Sequence, residues 1–517
     1  MKLAILDLET DPFKFGREPA PFAVGLYLGA GNDGGYYNTW GDDALALMLN
    51  ILRGIEEPLM IFAHNGGRFD FWYMADHITA PIMFVHGRLI KGSLFHHQLR
   101  DSFKILPIPL RDYKKDDTDY TTFEYGAREK HKAAILDYLH HDCVYLYELI
   151  AAFIAEHGTA LTIGSAAMKA LTSIHPQDHE RASFDEKYRP YFAGGRCQAF
   201  EHGRSAGQLK LYDVNSMYPA VMRNYQHPRG VPDYKCKSLP KAGFYLARIT
   251  ARSQGALCLK HKGLKFPRGE HEFMVTSHEL RAAISLGLVD RIKVHECFAW
   301  EVTQNFQEFV DIYSAQKIAA EESGDAAGRL VAKLLMNNAY GKFAQNPESF
   351  KEYALFTHQA EMENENYTLA GVFGDRLLGE KPAAIRAHSY NNVTIAASVT
   401  GAARAELMLA LARAERPIYC DTDSIVCEGL DVETHPTKLG AWKLEAEFDE
   451  FYCAGKKLYV AYAKGVPIKQ ASKGVRLSPS NIRAVAQGDV IDCPIDAPSL
   501  KLGQPAKFIR RTIAMTN

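Results

Sequence analysis

Two runs of this sequence carry carboxylates among apolar neighbours: Tyr212-Asp213-Val214-Asn-Ser-Met-Tyr218-Pro219 and Tyr419-Cys-Asp421-Thr-Asp423-Ser-Ile425. Each reads as a buried strand, where an isolated anion is disfavoured unless a cation or a hydrogen-bond network compensates it. Divalent metal ions are the obvious compensation. On a strand, Asp421 and Asp423 leave one face while Thr422 points away, and Asp213 could meet them from a neighbouring strand. Oxygen ligands of this kind suit Mg²⁺ or Mn²⁺, and a metal pair held by few carboxylates serves in-line phosphoryl or nucleotidyl transfer. Taken singly, either motif is better read as bland: Asp-Thr-Asp capping a tight turn, Asp213 ending a surface strand.

A second acidic group lies in the first third of the chain. Met1–Thr10 has an apolar strand pattern that closes on Asp7 and Glu9, both on one face. In Ala63-His-Asn65-Gly-Gly-Arg-Phe69-Asp70 the glycine pair reads as a strand-to-helix turn that presents Asp70. Tyr138 and Asp142 are one helical turn apart on the same face. Singly, Asp7-Leu-Glu9 is a chance pattern and Asp142 a solvated helix acid.

These residues need a scaffold. Residues 1–158 alternate strand-like and helical patterns. From Glu301 to Gly341 two helices are expected, with Glu321-Glu-Ser-Gly-Asp325 between them. On the second, Arg329, Lys333, Asn337, Tyr340 and Gly341 recur as a polar and basic stripe opposite Leu334, Leu335 and Met336, a pattern that a solvated amphipathic helix shares. Asn224–Trp300, rich in Pro, Gly, Lys and His, and the polar, acidic stretch Glu348–Pro382 are too long for plain loops in a compact domain.

At 517 residues the chain suggests about three domains at roughly 150 residues each. Its 60 basic and 61 acidic residues leave no excess to mark a polyanion-binding protein. Nine scattered cysteines without a Cys-x-x-Cys argue against a zinc ribbon or an iron–sulfur module. No charged-then-apolar leader is evident and the longest apolar runs fall short of a membrane span, so free thiols in a reducing cytoplasm are expected.

In chain order the Asp213 run, Lys333-Leu-Leu-Met-Asn337-Asn-Ala-Tyr340-Gly341 and the Asp421 run resemble motifs A, B and C of family B DNA polymerases, in the forms of the protein-primed branch. The run Ala339–Pro347, with Leu161-Thr-Ile-Gly164 and Gly194-Gly195-Arg-Cys-Gln-Ala-Phe200, is most similar to tectivirus-type phage enzymes. The resemblance covers nearly the whole chain and weakens after about Arg476. The segments holding Asp7 with Glu9, Asp70, and Tyr138 with Asp142 match motifs I, II and III of 3′→5′ proofreading exonucleases. Motif II departs from the pattern: two glycines, instead of one residue, separate Asn65 from Arg68.

The resemblance implies an α/β and α+β multidomain fold. An RNase H-like 3′→5′ exonuclease domain (1–158) and a linker (159–205) precede a right-hand polymerase: palm (206–230 and 386–469), fingers (301–346) and thumb (470–517). Two terminal-protein-region insertions interrupt it (231–300 and 347–385). It also implies roles. Asp213 and Asp423, with the Val214 carbonyl, would hold two ions, and Asp421 would support them. Lys333 and Lys317 would bind the β and γ phosphates, Asn337 and Tyr340 would line the nascent base pair, and Tyr218 would exclude a ribose 2′-hydroxyl. Asp7, Glu9, Asp70 and Asp142 would hold two further ions, with Tyr138 orienting the water and Lys115 and Tyr120 assisting at the phosphodiester. Asn65, Phe69, Phe192, Gly194, Gly195, Lys457 and Tyr459 would contact DNA; Phe192 stands where the family has tyrosine, with Tyr191 beside it.

The implied activity is DNA-directed DNA synthesis with proofreading, replicating a linear viral genome by terminal-protein priming and strand displacement. Its cofactors would be Mg²⁺ or Mn²⁺, two per site. Its partners would be primer-template DNA, dNTPs, a terminal protein, and phage single- and double-stranded DNA-binding proteins, around a monomer in the cytoplasm of the infected bacterial host. A dedicated exonuclease with a silent polymerase half, a non-catalytic nucleic-acid-binding protein, and a conventionally primed family B polymerase are the alternatives; seven placed carboxylates tell against the second, since acids repel phosphate.

Overall fold

A computed structural model describes residues 1–30, 35–114, 118–177, 185–236, 238–384 and 390–516. The apolar opening folds as the strand Lys2–Thr10 inside a seven-stranded sheet ordered Tyr36–Trp40, Pro21–Tyr27, Lys2–Thr10, Leu59–Ala63, His97–Asp101, Arg88–Leu94, Ile78–Val85. Lys2–Thr10, Leu59–Ala63 and His97–Asp101 run parallel, and the middle one is buried at every residue, as a strand covered on both faces must be. The helix Lys132–His157 packs across Lys2–Thr10 and Pro21–Tyr27.

A second seven-stranded sheet, antiparallel throughout, is ordered Val466–Ser472, Leu458–Ala463, Trp442–Gly455, Gly203–Val214, Ser424–Cys427, Tyr419–Asp421, Cys197–Ala199. The two expected helices are Gln307–Glu322 and Ala326–Phe343, packed as a hairpin whose second helix is capped by Asp325 accepting from the Gly328 amide at 2.9 Å.

Between these parts runs the helix Val393–Leu411. Contrary to the expectation that no apolar run reaches membrane length, it is long and apolar enough to span one. Thr394, Ser398, Thr400, Gly401 and Arg404 break up its apolar residues in sequence, yet a helix accepts them. Here 89% of its most apolar stretch is buried inside the protein. Gly401 makes close packing possible, since a Cβ there would lie 2.2 Å from Thr276 Oγ1.

Neither long intervening stretch is an irregular loop. The first forms a four-stranded antiparallel sheet, Tyr234–Cys236, Val289–Trp300, Phe244–Gln254 and Arg268–Thr276, whose helix Ser277–Ser285 packs on Val393–Leu411. The second forms the three-stranded sheet Lys351–Phe356, Arg376–Pro382, Thr368–Phe373. Its Phe373 and Leu378 enter the core under the first sheet, together with Leu502 from near the C-terminus. After Val466–Ser472 come the helix Pro479–Ala486 and the hairpin Ile491–Ser499 with Lys507–Ile513. Trp72 Nε1 donates to the Gln504 carbonyl at 2.9 Å and the Val372 amide to Gly503 at 2.8 Å, so the three parts close on one another.

Candidate active sites

The first site grows from the end of Lys2–Thr10. Carboxylate oxygens of Asp7, Glu9 and Asp142 all lie within 4.8 Å of one another. Asp70 joins them electrostatically: burial, then Asp70, Glu9 and Asp142, hold the Asp7 carboxyl well above the usual range, and Glu9 is raised by burial, then Asp142 and Asp70. Asp70 itself is 1% exposed and is pushed up to about 7, mainly by burial and then by Asp101. The amides of Asp70 and Leu8 pull the other way without reaching hydrogen-bond geometry, so both Asp70 carboxylate oxygens lack a partner among the described residues. Three carboxylates whose oxygens converge, with the unpartnered carboxylate of buried Asp70 acting on them electrostatically, fit hard divalent cations.

Tyr138 stands one turn before Asp142. Its hydroxyl lies 3.1 Å from that of Tyr120, and burial followed by Asp142 raises its pKa, so it keeps its proton. Lys115 lies outside the described residues. The glycine pair has a steric cause: a Cβ on Gly67 would sit 2.0 Å from the Leu89 carbonyl oxygen, and one on Gly66 2.6 Å from Ala63 Cβ. The departure from the motif II pattern is thus accommodated by a turn that admits no side chain. Asn65, at φ +65°, accepts from Arg88 Nη1 at 2.6 Å, and Phe69 packs edge-on against Phe13 at 5.7 Å.

The second site corrects one expectation. Asp421 and Asp423 do not alternate along a strand; Asp421 pairs with Ser424 across a hairpin whose two turn residues are Thr422 and Asp423. The Asp423 amide donates back to Asp421 at 2.6 Å, and Thr422 takes φ +60°, a strained value for a β-branched residue. Asp-Thr-Asp-Ser is turn chemistry, and it overrode the apolar flanks. Asp213 pairs with Ser424 on the adjoining strand and the Val214 amide donates to the Asp423 carbonyl at 2.8 Å. The Asp213 carboxyl rises to about 7 through burial, Asp423 and Glu445; that of Asp423 rises to about 6 through burial and Asp421. Asp421 is neutralised by Lys457, whose Nζ donates to its two oxygens at 2.7 and 2.5 Å. Lys457 is therefore engaged within the protein, while Tyr459 packs on Tyr419 at 5.1 Å.

Beside these acids the rings of Tyr218 and Tyr340 stack at 4.0 Å and 22°. Tyr218 is the second residue of the helix Met217–Asn224. One and two turns before Tyr340 come half-buried Asn337 and exposed Lys333; Lys317, on the neighbouring helix, is half-exposed.

The linker locks the acidic hairpin. The Thr422 amide donates to the Arg196 carbonyl at 2.6 Å, and a Cβ on Gly195 would sit 2.7 Å from Thr422 Cγ2 and Oγ1. A Cβ on Gly194 meets nothing within 4 Å. Buried Arg404 donates to the Ala193 and Gly194 carbonyls at 2.5 and 2.8 Å and to Glu279 at 2.7 and 3.0 Å. Tyr191 is buried with its hydroxyl 3.5 Å from Glu296, so it does not take the half-buried position that Phe192 occupies. Sequence reasoning missed Arg404 and Glu445. A lone arginine in an apolar helix was a usable signal for a buried partner. Glu445 offered none: it is the extra residue of a β-bulge between Leu444 and Ala446, beside Asp213.

Comparison with known proteins bears on both sites. The family model of DNA polymerase type B, organellar and viral, matches residues 54–439. The chain is 40% identical over 549 residues to the DNA-directed DNA polymerase of Enterobacteria phage PRD1, covering 100% of this chain and 98% of that one. It is 26% identical to the DNA polymerase of Bacillus phage phi29, over 76% of this chain and 71% of the other. The solved structure of phi29 DNA polymerase complexed with primer-template DNA superposes with a TM-score of 0.72 at 17% identity, covering both chains completely.

Proposed function

Since the chain belongs to the organellar and viral type B DNA polymerases, on their protein-primed, tectivirus-type branch, we propose that it works with two carboxylate sites, one extending a primer and one trimming its 3′ end, and begins each strand on a terminal protein. It is a DNA-directed DNA polymerase of the phage type. The observation that carries the two-site reading is the pair of separate acid clusters: Asp213 with Asp423 beside the Tyr218–Tyr340 stack, and Asp7, Glu9 and Asp142 together, with buried, unpartnered Asp70 acting on them. On this reading residues 1–158 are the exonuclease domain, 301–346 the fingers, and 231–300 and 347–385 the terminal-protein regions.

Asp213 and Asp423 would hold divalent ions at the first site, and Asp7, Glu9, Asp70 and Asp142 at the second. Such ions, Mg²⁺ or Mn²⁺, lower the pKa of the attacking oxygen and neutralise the leaving group. The protein's own part is placement. Lys457 cancels the charge of Asp421, leaving Asp213 and Asp423 as the pair with free lone pairs. The stacked tyrosines would make a flat wall for a deoxyribose and its base, and Tyr218 would exclude a 2′-hydroxyl. Lys333 and Lys317 offer point charges to a triphosphate. At the second site Tyr138, kept protonated, can donate to the phosphodiester or fix the attacking water.

The test is a labelled primer-template incubated with Mg²⁺, with and without dNTPs. Degradation without dNTPs should become extension with them; Asp423→Ala should abolish only extension and Asp7→Ala/Glu9→Ala only degradation. Degradation untouched by either variant would overturn the assignment of the sites. Terminal-protein priming requires that labelled dNMP become covalently attached to the cognate protein; extension of ordinary primers without that product would leave a conventional polymerase.

A further inference from the structure

Arg88 follows a two-residue turn, His86-Gly87, that joins the strands Ile78–Val85 and Arg88–Leu94. Both turn residues have positive φ, +52° and +69°, as the twist of a tight hairpin requires. The second strand packs against the Asn65–Phe69 turn, and Arg88 at its head is only 5% exposed. Its guanidinium lies on the Phe103 ring at 4.7 Å, and Nη1 donates to two oxygens, Asp101 Oδ2 at 2.8 Å and Asn65 Oδ1 at 2.6 Å.

A buried arginine–aspartate pair by itself says little beyond packing. Asp101 answers the arginine's charge, however, so the bond to Asn65 has a separate effect: it sets which way a side chain at a cavity wall faces. An arginine only donates, so the carboxamide oxygen must point to it and the N–H₂ group is turned off the other side. Nδ2 makes no hydrogen bond among the described residues, and Asn65 lines a cavity of about 1250 Å³ together with Phe13, Arg68, Phe69 and Arg88. Space for this arrangement comes from the extra residue of motif II. A Cβ on Gly67 would lie 2.9 Å from both Arg88 Cγ and Asp101 Oδ2. Any side chain there would push the turn off the pair, and with it Asn65, whose φ of +65° brings its carboxamide to Arg88.

We propose that Arg88 is a positioning residue for the trimming reaction: it holds the Asn65 carboxamide with its N–H₂ outward, so that the contact offered to an unpaired strand is a donor alone. Such a contact suits an oxygen of a phosphate, a sugar or a base. The residue that sets it stands on a hairpin strand outside the three segments that carry the acids. The proposal rests on the two-site reading.

The test measures degradation of a single-stranded oligonucleotide by the full-length enzyme with Mg²⁺ and separates KM from kcat. In Arg88→Lys the ammonium stays with Asp101 but has no second arm for Asn65. Its KM should rise about fivefold, the loss of one hydrogen bond to the strand, with kcat unchanged. Asn65→Gly, which suits the left-handed backbone, should raise KM by the same factor, and Arg88→Lys/Asn65→Gly no further, because the arginine acts through the asparagine. Asn65→Asp keeps an oxygen for Arg88 but turns a second acceptor outward, so its KM should rise more than that of Asn65→Gly; this variant decides the outcome if Arg88→Lys does not fold. A wild-type KM in Arg88→Lys or in Asn65→Asp overturns the proposal. Multiplying effects in the double variant do so too, since Arg88 would then touch the strand itself. So does a fall in kcat alone in Arg88→Lys, which would make the pair a support of Asp70, on which Asp101 acts. A wild-type enzyme that leaves the oligonucleotide intact would sink the exonuclease reading as well, an outcome that no variant imitates.

Discussion

Unpaired carboxylates govern how this protein responds to pH before any substrate arrives. Asp70 has its pKa raised from 3.8 to about 7, so the folded state holds a proton that the unfolded state has released across that interval. Stability contributed by that proton is present at low pH and falls as pH rises toward 7; the full rise corresponds to about 4 kcal/mol. In EDTA, Asp70→Asn should therefore be more stable than wild type at pH 8, with the gap closing toward pH 4, and Mg²⁺ should stabilise wild type more than the variant, which keeps Asp7, Glu9, Asp142 and the Asp213–Asp423 site. Urea unfolding at the two pH values reads this out; an Asp70→Asn protein less stable at pH 8 would mean that the carboxylate is satisfied without metal. At the other site Lys457 lowers the Asp423 pKa. Removing that cation in Lys457→Ala should shift the acid limb of Mg²⁺-dependent extension to higher pH, measured as rate against pH on saturating primer.

At the level of elements, the acidic hairpin is held from behind. Thr422 stays at φ +60° because the Arg196 carbonyl takes its amide and Gly195 leaves it room. Gly195→Ala should cut extension by at least about tenfold, a 1.4 kcal/mol misplacement of the turn, while degradation of single-stranded DNA remains. Arg404→Ala strands Glu279 as a buried, unpaired anion and should cost about 3–5 kcal/mol in unfolding free energy. These elements also explain what could be read in advance. The strand Lys2–Thr10 with Asp7 and Glu9 near its end, and the helices Gln307–Glu322 and Ala326–Phe343, follow from apolar period and turn residues, which are local. The hairpin at 421–424 was hidden because its flanks, Tyr419-Cys420 and Ile425-Val426, have the pattern of one continuous strand. The Glu445 bulge depends on register against Gly203–Val214, which no stretch of Trp442–Gly455 announces by itself. Tyr191 and Phe192 are neighbours of like character, and only the packing of Tyr191 against Glu296 separates them.

The molecule as a whole is knit by its second insertion. Phe373 and Leu378 are as buried in the core of the first sheet as that sheet's own residues, and the insertion's Tyr353 meets Phe84 at 4.7 Å. Leu378→Ala should destabilise by about 2–5 kcal/mol, and the loss should appear in the unfolding of the N-terminal sheet, followed by fluorescence of Trp40 and Trp72 beside it. A variant that lowers only a separate, later transition would show the insertion to be an appendage. The same core has an order in time. Ala4 through Leu99 emerge early from the ribosome, but Phe373, Leu378 and Leu502 close the core only when the last strands have been made. The N-terminal sheet is left unfinished until nearly the whole chain has been made, and a chain truncated before Leu502 is released without the residue that completes that core.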